Sequence, residues 1–139
     1  MMQSQVASFA VGKGVLYTAM VGQITRTLAE SSYEEFVSLA LNRQRFSWIM
    51  DTTYMTGFDA NAIQGGKRWF ELVRSLDARL VVVSPAAAAK MAAATLSFST
   101  GVPTQAFDQL DDAQKQLELT PSDIGTIERR LANLGVTKH

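Results

Sequence analysis

Apolar residues crowd into two runs near the start of the chain, residues 6–11 and 15–24, on either side of Gly12-Lys13-Gly14. Two such runs around a short glycine-bearing connection predict an antiparallel hairpin. From Ser32 the period changes, and Tyr33, Phe36, Val37, Ala40 and Leu41 recur at helical spacing. Residues 32–43 therefore predict an amphipathic helix, with Ser31 or Ser32 as its N-cap and Glu34 and Glu35 in the first turn, where they complement the helix dipole. Residues 46–50 form a continuous apolar run, the pattern of a strand covered on both faces, and Asp51 closes it. After a loop, Ile63, Trp69, Phe70, Val73 and Leu76 make a second helical stripe, with Asp59 placed to cap its start and Arg68 and Arg74 on the outer side.

Residues 78–83 predict another buried strand, stopped by Ser84-Pro85. Pro85 at a first helical position opens an alanine-rich helix over residues 86–96, whose small side chains permit close packing on a sheet. Gly101-Val102-Pro103 breaks it. Residues 105–107 predict a short edge strand, and residues 110–117 a helix. Thr120-Pro121-Ser122-Asp123 is a helix start, with a capping threonine, a proline in the first turn and an acid near the positive end. Ile124, Ile127, Leu131 and Leu134 follow on one face, and Gly135 supplies a left-handed stop.

Strands alternating with helices imply parallel pairs joined by right-handed crossovers, with the opening hairpin as the antiparallel element. The expected fold class is α/β: one domain, built on a mixed, mainly parallel sheet of four to five strands flanked by helices. Residues 1–119 would form that domain, and residues 120–139 a C-terminal helical extension packed on it. The stripe of the last helix must cover the domain's own sheet, a second copy of the chain or a partner; self-packing is the default, and a homodimer stays open.

Composition narrows the function classes. The chain has 139 residues, 47% of them apolar, enough for one core without disulfides or metal. Lysine plus arginine equals aspartate plus glutamate, at 13 each, so no global field attracts nucleic acid or an anionic membrane. There is no cysteine, and the single histidine is the last residue, His139. Serine–histidine and cysteine–histidine mechanisms thus lack their base or nucleophile. No apolar run approaches the roughly 20 residues of a membrane span, and the N-terminus lacks a signal-peptide pattern, so the expectation is a soluble cytoplasmic protein.

Candidate chemistry concentrates in residues 46–63, where a strand end, a loop and a helix start meet. Asp51 and Asp59 stand eight positions apart. They are either paired carboxylates for acid–base work or magnesium, or a strand-end aspartate holding loop amides beside an N-cap aspartate; the second needs only local geometry and is preferred. Gly65-Gly66-Lys67 falls inside the second helical pattern and fits close helix packing better than a phosphate loop. Met20, Met50 and Met91 are taken as core fillers. Tyr54, Met55 and Phe58 either tuck beneath their loop or form an apolar docking surface. No catalytic residue, metal ligand or cofactor site is expected.

Val21-Gly22-Gln23-Ile24, Ile49-Met50-Asp51 and Asp59-Ala60-Asn61-Ala62-Ile63, in that order of elements, resemble the STAS domain of sulfate transporters and anti-sigma-factor antagonists. The family has a Gly-Glu-Leu-Asp-like segment before its first helix, a strand ending Asp-Leu-Ser and an Asp-Ser-Ser-Gly-Leu-like helix start. The likeness spans about residues 15–117. It implies a non-enzymatic regulatory or scaffolding module that docks onto a protein partner, such as a switch kinase, through Asp59, Asn61 and Gln64, with Tyr54, Met55 and Phe58 adding apolar contacts. The family's phosphorylated serine falls at Asn61, which cannot accept a phosphoryl group in that way. Thr52, Thr53 and Thr56 in the preceding loop are the remaining hydroxyls open to modification. Similarity of the fold to lipid-transfer domains implies an alternative role, binding a small apolar ligand.

Overall fold

The computed structural model describes residues 3–12 and 14–136. Met1, Met2, Lys13 of the predicted turn and His139 lie outside the described residues. Strands β1 (Gln5–Val11) and β2 (Val15–Ile24) form the predicted antiparallel hairpin, with Val11 opposite Val15. Then follow α1 (Arg26–Ser31), α2 (Tyr33–Ala40), β3 (Ser47–Asp51), β4 (Met55–Phe58), α3 (Ala60–Ser75), β5 (Arg79–Val83), α4 (Ala87–Thr100), β6 (Thr104–Phe107), α5 (Leu110–Gln116) and α6 (Pro121–Asn133). The sheet runs β1-β2-β3-β5-β6, and β4 pairs with β2 off this path. Every pair except β1–β2 is parallel.

Two elements differ from the sequence pattern. The single helix expected over residues 32–43 is preceded by a separate helix, α1, capped by Thr25, whose hydroxyl accepts from Leu28 N at 3.2 Å. Ser32 stands between the two helices and spends its hydroxyl on Leu28 O instead of capping α2. The expected loop after Asp51 contains β4, so the sheet has six strands. Residues 15–19 of β2 pair with β3, and Gly22 to Ile24 then pair with β4 across an irregularity between Gly22 and Gln23. Two smaller shifts concern α4: Pro85 precedes the N-cap Ala86 rather than opening the helix, and the helix continues past Leu96 to Thr100, ending at Gly101 in the left-handed conformation. The cap of α6 is as predicted, with Thr120 and Asp123 exchanging side-chain and backbone hydrogen bonds and Gly135 at φ 82°.

Each face of the sheet carries its own core. On one, Leu16, Trp48, Met50, Leu80 and Val82 meet Phe36, Trp69, Phe70 and Val73 from the helices α2 and α3 and Ala93 from α4. On the other, Tyr17, Ala19, Ile49, Val81 and Val83 meet Ala113, Ile127 and Leu131 from α5 and α6. All five residues of β3 are buried, as its unbroken apolar pattern requires. The stripe of α6 thus lies against the sheet of its own chain.

Gly22 lets β2 serve two partners. Its φ is +78°, its N–H donates to Tyr54 O at 3.1 Å, and a Cβ there would fall 2.6 Å from Ser4 Oγ and 2.9 Å from Ser4 Cα. Gly22→Ala is therefore expected to lower stability by about 1–3 kcal/mol, measured by urea denaturation followed by circular dichroism.

Candidate functional site

The site is assembled where β3 ends, β4 runs and α3 begins. Asp51, the last residue of β3, is 2% exposed. One of its oxygens accepts from Thr53 N at 2.9 Å and Thr53 Oγ1 at 2.6 Å, and the other accepts from the Tyr17 hydroxyl. This aspartate pins the turn between β3 and β4, the local role preferred from the sequence. Tyr17, 0% exposed, is the partner the sequence pattern did not reveal. The one available signal was a tyrosine inside a mainly apolar strand, whose hydroxyl must find an acceptor when buried. Burial first, and then the Asp51 carboxylate, hold the Tyr17 phenol well above its ordinary range.

Asp59 does separate work. It adopts an extended conformation, and its carboxylate accepts from Ala62 N at 2.8 Å, closing the first turn of α3. Its own N–H reaches back to Ile24 O at 3.4 Å, tying the helix start to the end of β2. Asp59, Asn61 and Gln64 are all exposed, so these three candidate contact residues share the solvent-facing N-terminal turns of α3. Gly65 and Gly66 lie inside the helix, and Gly65 is buried against α1, with Ala29 Cβ 3.1 Å from where a Cβ would stand. Close helix packing, the preferred reading of that glycine pair, accounts for it.

The three large residues of the predicted loop do not converge. Met55 and Phe58 pack on the core formed with α1 to α4, whereas Tyr54 packs on the opposite core, beside α6. All three are half-buried. They are tucked beneath their segment, on two sides of the sheet, with Tyr54 in the turn before β4 and Met55 and Phe58 at the two ends of the strand. The Tyr54 phenol is raised by burial first, then by Asp51 and Glu128. The threonines also diverge. Thr52 is 5% exposed and donates to Val83 O at 3.2 Å, Thr53 is exposed but bound to Asp51, and Thr56 is exposed on β4.

Two concavities adjoin this junction. Beneath β4 and the start of α3 lies an apolar cavity of about 80 Å³, with Met20, Met50, Met55, Phe58, Trp69 and Leu96 in its wall. At the carboxyl ends of β3, β5 and β6 an open cleft of about 390 Å³ is bordered by Asp51, Tyr54, Pro85, Asp108 and Glu128. Among the described residues no group of three or more acidic or histidine side chains is placed to hold a metal ion, and no helix is long and apolar enough to cross a membrane.

Solved structures with the same arrangement of strands and helices decide the fold. A protein of the DUF3478 family from Shewanella loihica, described as having a SpoIIAA-like fold, superposes with a TM-score of 0.62 at 15% identity over 84% of this chain and 95% of its own. The chain has a SpoIIAA-like, STAS-type fold. SpoIIAA itself, an anti-sigma factor antagonist in its unphosphorylated form, matches with a TM-score of 0.58 at 9% identity, over 81% of this chain and 97% of that one. An anti-sigma factor antagonist from Mycobacterium paratuberculosis gives 0.55 at 14% identity, over 84% and 95%. No protein-family model matches the sequence, and no curated protein does. The STAS-type likeness drawn from three short motifs is thus matched by the arrangement of the whole sheet.

Proposed function

We propose that this chain is a non-enzymatic regulatory or scaffolding module of the cytoplasm that docks onto another protein through the N-terminal turns of α3. The observation that carries the proposal is the placement of Asp59, Asn61 and Gln64 together on an exposed helix start, fixed from below by Asp59 capping and by β4. Two of the similar structures are anti-sigma factor antagonists, which supports a partner of the signalling class. Asn61 would act as a permanent neutral hydrogen-bonding group where STAS antagonists carry a switchable serine. Tyr54, Met55 and Phe58 then serve the site by supporting it from within, and only their exposed edges are open to a partner.

A photo-crosslinker at Gln64, introduced into cells of the source, is expected to capture one protein reproducibly, and Asn61→Asp is expected to weaken that partner about tenfold by placing a charge in the contact. Unchanged binding by Asn61→Asp would remove the docking surface. Stoichiometric phosphate on residues 59–63, read by mass spectrometry, would contradict the unswitched role.

The cavity of about 80 Å³ supports a second reading, a carrier of a small apolar molecule. Drug-sized ligands fill roughly 300–1,000 Å³, so anything larger than a compact hydrocarbon requires α3 and α4 to separate. Native mass spectrometry of freshly purified protein distinguishes the two, since a stable ligand appears as added mass.

A further inference from the structure

Met91, taken from the sequence as a core filler, is 69% exposed, and Phe98 on the same helix is 93% exposed. An isolated exposed apolar residue needs no explanation, but these two belong to a pattern. Ala87, Met91, Ala94 and Phe98 are all exposed on α4 and spaced four, three and four residues apart, the repeat of a helix-pairing seam. The order is small, large, small, large. Reversed against itself, this series sets Phe98 opposite Ala87 and Met91 opposite Ala94, so each bulky side chain meets a small one. A face whose reverse is its own complement fits one occupant above others, a second copy of the same chain related by a two-fold axis.

Charge and neighbouring relief agree. The only charged residue of α4 is Lys90, and it is paired with Asp108. Two such faces therefore meet without like-charge repulsion, and there is no cluster of cations to favour an anionic lipid surface. Alongside α4 runs a groove of about 560 Å³ lined by Lys90, which Asp108 neutralises, and by the small residues Ala93, Ala94, Ser97, Thr104 and Ala106, with Phe98 also in its lining. Its far wall is β6, the terminal strand of the sheet, which contains no charged residue and no proline to blunt its outer edge. We propose that the α4–β6 surface is a homodimer interface, with antiparallel α4 helices, each Phe98 packing on the second copy's Ala87 and each Met91 on its Ala94. Helix α4 is about 21 Å long, so a contact confined to α4 and β6 is expected near the lower end of stable interface sizes. The dimer is expected to be reversible, with a Kd on the order of micromolar as the value to be measured.

Sedimentation velocity of the full chain from roughly 1 to 500 µM, bracketing a micromolar Kd, is expected to show the mass rising from one chain towards two. Phe98→Asp and, separately, Ala94→Arg, both exposed and expected to retain the wild-type circular dichroism spectrum, should weaken association at least about tenfold. Because the chain has no cysteine, mixing Met91→Cys with Ala94→Cys protein under oxidation should give the mixed disulfide in excess over either homodisulfide. Wild-type protein monomeric throughout the range, variants that associate like wild type, or homodisulfides in excess would each overturn the proposal. So would Phe98-dependent pelleting with phosphatidylcholine vesicles by a protein that stays monomeric alone.

Discussion

Trp69→Ala is expected to cost about 3–5 kcal/mol of folding stability, a large share of what a domain of this size possesses. Trp69 is 3% exposed and stacks on Phe36 with ring centroids 4.7 Å apart, while Trp48 lies 5.9 Å away and Phe36 also meets Trp48 at 4.9 Å. The three rings join α2, α3 and β3 through one contact group. The indole N–H donates to Ala29 O at 3.1 Å, so the same side chain also fastens α3 to α1. Truncation removes the ring, leaves that buried carbonyl without its donor and opens space continuous with the existing apolar cavity. Trp69→Phe retains a ring and loses chiefly the donor, with an expected cost of about 1–2 kcal/mol. Urea denaturation followed by circular dichroism measures both, and a loss below about 1.5 kcal/mol for the alanine variant would mean that the helices close over the gap.

Tyr17→Phe is expected to destabilise by about 1.5–3 kcal/mol near neutral pH, because it takes one donor from a buried carboxylate and leaves only the two from Thr53. The pH dependence separates this effect from lost packing. The folded Tyr17 phenol is held above its ordinary value, first by burial and then by Asp51, whereas the unfolded chain titrates near pH 10. A raised folded pKa gives stability that is fully present below the unfolded pKa and is lost as pH rises beyond it, because the unfolded state then binds fewer protons than the folded one. Wild-type stability should therefore fall above about pH 10, and Tyr17→Phe should fall less steeply, so the gap between the two narrows. The raised Tyr54 phenol leaves the variant with part of the slope. Parallel curves from pH 8 to 11, about the span of the unfolded titration, would assign the cost of the substitution to packing alone.

What the sequence reveals is what local chemistry determines. Asp59 capping α3 and the Thr120–Asp123 box opening α6 are read from neighbours three residues apart, and both occur as expected. The hairpin and the buried strands announce themselves as apolar runs. By contrast, α1 buries only Ala29 in six residues and so has no stripe to detect. Strand β4 is four residues, Met-Thr-Gly-Phe, and exists because β2 bends at Gly22 and offers an edge from a distant part of the chain. Asp51 could be read as a strand end holding loop amides, but its bond to Tyr17 spans 34 positions of sequence. The exposed face of α4 stayed hidden for a different reason: alanine-rich helices carry little amphipathic contrast, so the outward side of Met91 could not be told from the inward side of Ala93.

Consecutive residues Tyr54 and Met55 anchor in opposite cores, and the next residues run as a strand into the cap of α3. A segment clamped from both sides in this way has little conformational freedom left to surrender on association. A partner at Asn61 would meet a surface ordered beforehand, and the free energy of contact would go into affinity instead of into organising a loop.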